Sequence, residues 1–236
     1  MNRLYITSLI IIILAFINAC DSTIDALEDK NPCDGVTRLF VEENGILNIE
    51  LENAEVPEGW EKRTNLPDYL GKSYLQWEGD NHMRKPGDGI VTYKIEINNT
   101  GIYRIQIRGY IAEGTSGSEH NDVWLRMPDA NDYYGEKNGN VIYPAGIGKS
   151  PNPKGASSDG WFKIYNNTKN KWSWASRTSD HDGHNIYAKF NKADVYTIEI
   201  SGRSSGFAVD RITLYQENGD LEGDDDTLPA SIINCQ

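Results

Sequence analysis

The chain has 236 residues, 38% of them hydrophobic, which suffices for one buried core and a small extra element rather than two full domains. A formal net charge of -12 argues against a nucleic-acid partner and against attraction to anionic lipid. Six Trp and thirteen Tyr outweigh five Phe, and rings with a polar handle suit partly exposed recognition surfaces.

The N-terminal stretch MNRLYITSLIIIILAFINAC places Arg3 ahead of an apolar run from Leu9 to Ile17, with Cys20 just after it. The run is too short to cross a bilayer as a permanent helix, and it reads as a signal peptide over residues 1–19. Ile17-Asn18-Ala19-Cys20 resembles a bacterial lipobox. That implies a lipidated Cys20, an acidic tether over residues 20–36, and attachment to the cell envelope, at the outer-membrane surface, through acyl chains alone. An ordinary secreted protein is the alternative.

Cys33 and Cys235 remain, an even pair in an exported chain, and they suggest a disulfide. Such a bridge would close a loop worth roughly 4–5 kcal/mol in the chain-entropy model. Free thiols in two tails are the alternative; the closeness of domain termini favours the bridge. The segment 218–236 carries GDLEGDDD and reads as an acidic C-terminal tail.

Between the tails, over residues 37–217, strand signals recur. They are ILNIELE, SYLQW, GIVTYKIEI, IYRIQIRGYI, DVWLRM, GWFKIY, NIYAKF, VYTIEIS and FAVDRITLY in chain order. The turn NNTG predicts an antiparallel pairing of GIVTYKIEI with IYRIQIRGYI, and GRSS predicts the same for VYTIEIS with FAVDRITLY. No stretch beyond the signal peptide has helical periodicity. Nine or ten short antiparallel strands with Gly, Asn and Asp turns give an all-β sandwich or barrel. Between Met127 and Trp161 lie more than thirty residues without clear periodicity, read as a long loop; Tyr133, Tyr134 and Tyr143 argue that it packs on the domain.

In ILNIELE, Leu47, Ile49 and Leu51 share one face, leaving Glu50 and Glu52 on the other at about 7 Å. In FAVDRITLY, Asp210 falls on the row of Ala208, Ile212 and Leu214, where a carboxylate must be paired, protonated or metal-bound. Calcium accepts such a set of hard oxygens. The alternative leaves both glutamates in water and pairs Asp210 with an arginine.

IELE, then GDGIVTYKIEINNTGIYRIQIR, then a Trp-x-Trp segment and a closing GFAVDRITLY together resemble the family 6 carbohydrate-binding modules. The likeness covers residues 45 to 216. It implies a galactose-binding-like jelly-roll β-sandwich with a structural calcium on Glu50, Glu52 and Asp210. It also implies a saccharide site on the loops, where an aromatic pair grips a sugar ring. The family's loop tryptophan matches Trp172 or Trp174; an extended backbone sends the two to opposite sides, and Trp172 is expected to be the outward ring. Tyr74 and Trp77 are candidates for the second aromatic. His120, Asn121 and Asp122, in EHND, are candidates for hydrogen bonds to sugar hydroxyls; a simple turn is the alternative.

DHDGH offers Asp180, His181, Asp182 and His184. Zinc needs three or four converging ligands, and Gly183 speaks against the helix that would align the two histidines, so the stretch reads as a polar turn beside the sugar site.

The expectation is therefore a non-catalytic surface lipoprotein that binds a polysaccharide or oligosaccharide, with partner proteins of a glycan-uptake system in prospect and no nucleic acid. The rival is a glycoside hydrolase or lyase. A hydrolase would draw two carboxylates from Asp122, Glu119, Asp180 and Asp182; a lyase would use His181 or His184 with Tyr187 and Arg177. No catalytic motif is recognisable, and the chain ends with the sandwich. A protein-interaction module of the same fold is a third reading.

Overall fold

The computed structural model describes Cys33, residues 35–217 and residues 223–236. The segment expected to be a signal peptide, Cys20 and most of the expected tether lie outside the described residues. Two sheets face each other. One runs in spatial order β10 (Ser157–Ser158), β11 (Trp161–Tyr165), β7 (Asp122–Arg126), β13 (Asp194–Ser201), β5 (Val91–Ile97), β1 (Arg38–Val41) and β15 (Ile233–Cys235). The second runs β3 (Trp60–Arg63), β4 (Tyr74–Trp77), β14 (Phe207–Tyr215), β6 (Gly101–Ile111), β12 (Asn185–Phe190), β8 (Asp132–Lys137) and β9 (Asn140–Ile142). β2 (Ile46–Glu50) pairs with the later half of β14, in line with β4. This is a jelly-roll β-sandwich. Among the described residues no helix is long and apolar enough to cross a membrane.

The core lies between the sheets and is built from alternate residues. Tyr93, Ile95 and Ile97 of β5 share it with Ile105 and Ile107 of β6 and with Leu47, Ile49 and Leu51 from β2 and the turn that follows it. Burial of these rows is the main favourable term in such a fold.

Three expectations are corrected. The two predicted hairpins do not exist: β5 pairs with β13 and β1, whereas β6 pairs with β14 and β12. NNTG and GRSS therefore cross from one sheet to the other. A period of two places a residue on a face but does not name the partner strand. The crossing at NNTG is pinned by the buried Glu42 carboxylate, which accepts from the Asn98 and Asn99 amides at 2.9 and 2.7 Å. Second, β1 runs parallel to β5, because β2, β3 and β4 of the second sheet intervene as a crossover. Third, the long segment before Trp161 is not a bare loop. Its EKNGN places Asn138 and Gly139 at φ 51 and 82, a two-residue hairpin turn that joins β8 to β9. Tyr133 and Tyr134 do pack on the domain. Tyr133 donates to the Leu125 carbonyl, and Tyr134 stacks on Tyr187 at 5.6 Å.

Cys33 and Cys235 form a disulfide across 202 residues of sequence, Cα to Cα 5.1 Å. β15 adds as an antiparallel edge strand to β1, so the two ends of the domain are tied twice.

Candidate functional site

β14 carries an extra residue. Val209 faces Gly109 and Arg211 faces Arg108, leaving Asp210 as a β-bulge. The bulge shifts the alternation: Phe207 and Val209 face the core before it, Ile212 and Leu214 after it, and Ala208 turns outward. Asp210 therefore does not share a core row with Ala208, as its spacing suggested.

On the outer side of the second sheet, Ala208 helps to build a small separate apolar cluster with Tyr74 and Trp172, packed against Leu66, Tyr69, Tyr110 and Ala112. Trp172 meets Tyr74 and Tyr110 edge-on, each at 5.3 Å, and donates to the Pro67 carbonyl at 2.8 Å. The expected orientation of the tryptophans is reversed. Trp172 is only 9% exposed, while Trp174 is half-buried and donates Nε1–H to Asp226 Oδ1 at 2.7 Å. A second apolar cluster outside the main core is what takes up Trp172. Of the two candidates for its partner, Tyr74 is in contact with it. Trp77 sits in the main core, 5.3 Å from Trp60, and is not at this surface. The half-buried rings left facing outward are Tyr69, Tyr110 and Trp174.

Next to the rings stands a charged network. Arg108, 4% exposed on its side chain, has its guanidinium carbon 5.2 Å from the Trp172 ring centre. It donates to Asp210 at 2.7 Å, to the Asp68 carbonyl at 2.9 Å, and through Nε and Nη2 to both oxygens of Asp226 at 3.0 and 2.8 Å. Burial opposes ionisation of Asp226, but the Arg108 and Trp174 hydrogen bonds prevail and hold its carboxyl below the usual range.

The three acids matched to calcium are buried neighbours. Glu50 is held by Arg211, Glu52 accepts from the Lys72 amide at 2.9 Å, and Asp210 accepts from the Leu70 amide at 2.8 Å. Glu50 and Glu52 are thus not in water, contrary to the alternative reading, whereas Asp210 does pair with an arginine. Each acid keeps one buried oxygen without a hydrogen-bond partner: Glu50 Oε2, Glu52 Oε2 and Asp210 Oδ1. Burial pushes the Asp210 carboxyl up to about 7 against the Leu70 amide and Arg108, with Glu50 adding to the rise. Burial raises Glu52 as well, again with help from Glu50. Gly71 lies over the pair at φ 69; a Cβ there would come within 2.5 Å of Glu52 Oε1 and 3.3 Å of Glu50 Oε2. Among the described residues no group of three or more His, Cys, Asp or Glu is placed to hold a metal ion as the side chains stand. Three orphaned hard oxygens around residual negative charge nevertheless fit a calcium ion in donor chemistry.

His120, Asn121 and Asp122 do not join the aromatic cluster. Asp122 is bound by Arg203 and Ser204, and Asn121 donates to the Asn166 carbonyl at 2.8 Å. With Asp180 and His181 they line a polar cavity of about 470 Å³. DHDGH is a turn closed by a Thr178–His184 bridge, with Asp180 paired to Lys163 and Asp182 to Lys137.

Tyr69 and Tyr110 went unnoticed as site residues. Tyr110 carried a signal, since it lies on the polar row of IYRIQIRGYI with Arg104, Gln106 and Arg108. Tyr69, in a loop without periodicity, carried none.

No protein-family model and no curated protein matches the sequence. Among solved structures, the chain is similar to a Podospora anserina β-(1,4)-mannanase with a family 35 carbohydrate-binding module, at TM-score 0.42 and 17% identity, covering 73% of this chain and 28% of that one. It is similar to an Arthrobacter globiformis T6 isomalto-dextranase complexed with panose, at TM-score 0.39 and 13% identity, covering 73% and 24%. It is also similar to the family 6 module of Cellvibrio mixtus lichenase 5A in complex with cellotriose, at TM-score 0.37 and 13% identity, covering 73% and 98%. The chain thus spans about a quarter of the first two proteins, and nearly all of the isolated module.

Proposed function

We propose that this protein binds a polysaccharide through the outward surface of Tyr69, Tyr110 and Trp174. The observation that carries the reading is this set of half-buried rings: Tyr69 and Tyr110 pack on Tyr74 and Trp172, and Trp174 is tied to the same surface through Asp226 and Arg108. Pyranose C–H faces pack on such rings while neighbouring polar groups fix orientation. Arg108, held against the Trp172 ring, supplies such a polar group here.

Glu50, Glu52 and Asp210 would hold a calcium ion, which when bound would neutralise their charge and brace β2 against β14. The lipid anchor at Cys20 and a place on the outer-membrane surface belong to the same reading, as does association with proteins of a glycan-uptake system. The protein acts by holding its ligand and not by cleaving it. Of the four carboxylates a hydrolase could draw on, three are engaged in ion pairs: Asp122 with Arg203, Asp180 with Lys163 and Asp182 with Lys137.

A glycan array, run with calcium and with chelator and followed by calorimetry on each hit, tests the reading. Retention of at least one polysaccharide without release of reducing ends or unsaturated uronate is the expected result. A folded, calcium-loaded protein that retains none overturns it.

A further inference from the structure

We infer that Asp226 is an internal stand-in for a ligand carboxylate, and that the aromatic surface is a receptor for uronate-bearing glycans in which Arg108 and Trp174 bind the acid. The inference rests on the saccharide-binding reading above and narrows its ligand class.

Three donors converge on one carboxylate. Arg108 Nε and Nη2 take the two oxygens of Asp226 separately, at 3.0 and 2.8 Å, and Trp174 Nε1 adds a third bond at 2.7 Å. Two parallel N–H bonds from one guanidinium edge are the geometry that selects a planar carboxylate. The receptor half is fixed in the sheet. Arg108 projects from β6, is 4% exposed, and is oriented by Asp210 and the Asp68 carbonyl. The acid half is peripheral, since the Asp226 side chain is 48% exposed. Its neighbour Asp225 folds back on Thr227 and takes no part in the seat. Rotation of one side chain would open the seat without unfolding a strand.

The seat is continuous with the aromatic surface. The guanidinium lies over Trp172, Trp172 touches Tyr110, and Trp174 is itself one of the outward rings. A sugar ring resting there would present an exocyclic carboxylate beside Arg108, and a neutral sugar would have nothing to exchange for Asp226. An occupied seat lowers the apparent affinity by the fraction of time it is free, so the protein's own tail sets the threshold for acidic ligands.

The test is affinity electrophoresis and calorimetry on the full chain, with polygalacturonate, neutral xylan and dextran sulfate as probes. The variants are Asp226→Ala and Asp226→Asn, with thermal melts to verify folding. Expected is about a tenfold gain for polygalacturonate in both variants, weakened by salt, with xylan within twofold of wild type. Trp174→Phe, which keeps a ring and loses the N–H, should lower polygalacturonate binding in the Asp226→Ala background. An equal gain for xylan, a gain for dextran sulfate alone, or no gain at all overturns the inference while leaving saccharide binding standing. Failure of wild type and every variant to bind any glycan overturns both.

Discussion

Arg108 joins the aromatic cluster to the acid triad: its guanidinium lies 5.2 Å from the Trp172 ring centre and donates to the fully buried Asp210 at 2.7 Å. Removing one partner of a buried ion pair strands the other charge, which costs about 3–5 kcal/mol. Arg108→Leu should therefore lower stability by about that amount in urea denaturation with chelator present, with an unchanged m-value. A loss below about 1 kcal/mol would mean that Asp210, whose carboxyl is already pushed up to about 7, takes up a proton or finds another cation.

Calcium should stabilise the fold by linkage. At a hundredfold excess over its dissociation constant an ion that binds only the native state adds about 2.7 kcal/mol. The expected readout is a calcium-dependent rise in melting temperature, reversed by chelator and absent in Glu52→Gln and Asp210→Asn. A melting curve indifferent to calcium in the wild type would remove the ion from the account and leave the arginines as the sole counter-charges.

Gly71 is where the backbone meets the triad. An alanine at φ 69 is strained, and its Cβ would strike Glu52 Oε1. Gly71→Ala should destabilise by more than about 1 kcal/mol and shift the calcium midpoint to higher concentration. Paired melts with and without the ion separate the two effects: strain alone lowers both curves equally.

Much of this was visible in residue spacing. Leu47, Ile49 and Leu51 alternate with Asn48 and Glu50 in ILNIELE, and all three sit fully buried in the core. Counting such runs gave an all-β sandwich or barrel, and the two-sheet form came only with the resemblance to the carbohydrate-binding modules. Pairing did not follow, because β5 and β6 have the same alternation whether they sit side by side or in opposite sheets. The bulge at Asp210 was equally hidden: one extra residue reverses every later side chain, and nothing in FAVDRITLY marks where it falls. Asn138-Gly139, by contrast, was a legible hairpin signal that the surrounding polar residues masked. At the site, Tyr74 and Trp172 were found as types, but their depth was set by Leu66 and Tyr69 in a loop without period. The Asp226 contact joins residues 118 apart in sequence, beyond the reach of any local pattern.

Depth decides what substitutions at the aromatic surface will report. Trp172 is buried among Tyr74, Tyr110 and Ala208 and bonded to Pro67, so Trp172→Ala should cost about 3–5 kcal/mol of stability and lose binding only as a consequence. Tyr110 is half-buried with one side outward. Tyr110→Ala should therefore weaken glycan binding about tenfold or more, a value in line with loss of one stacked ring, while its melting temperature falls far less than that of Trp172→Ala. Calorimetry and melts on the two variants side by side make the comparison. Should Tyr110→Ala bind as tightly as wild type, the contact surface lies elsewhere, with the polar cavity beside His120 and Asp180 next in line.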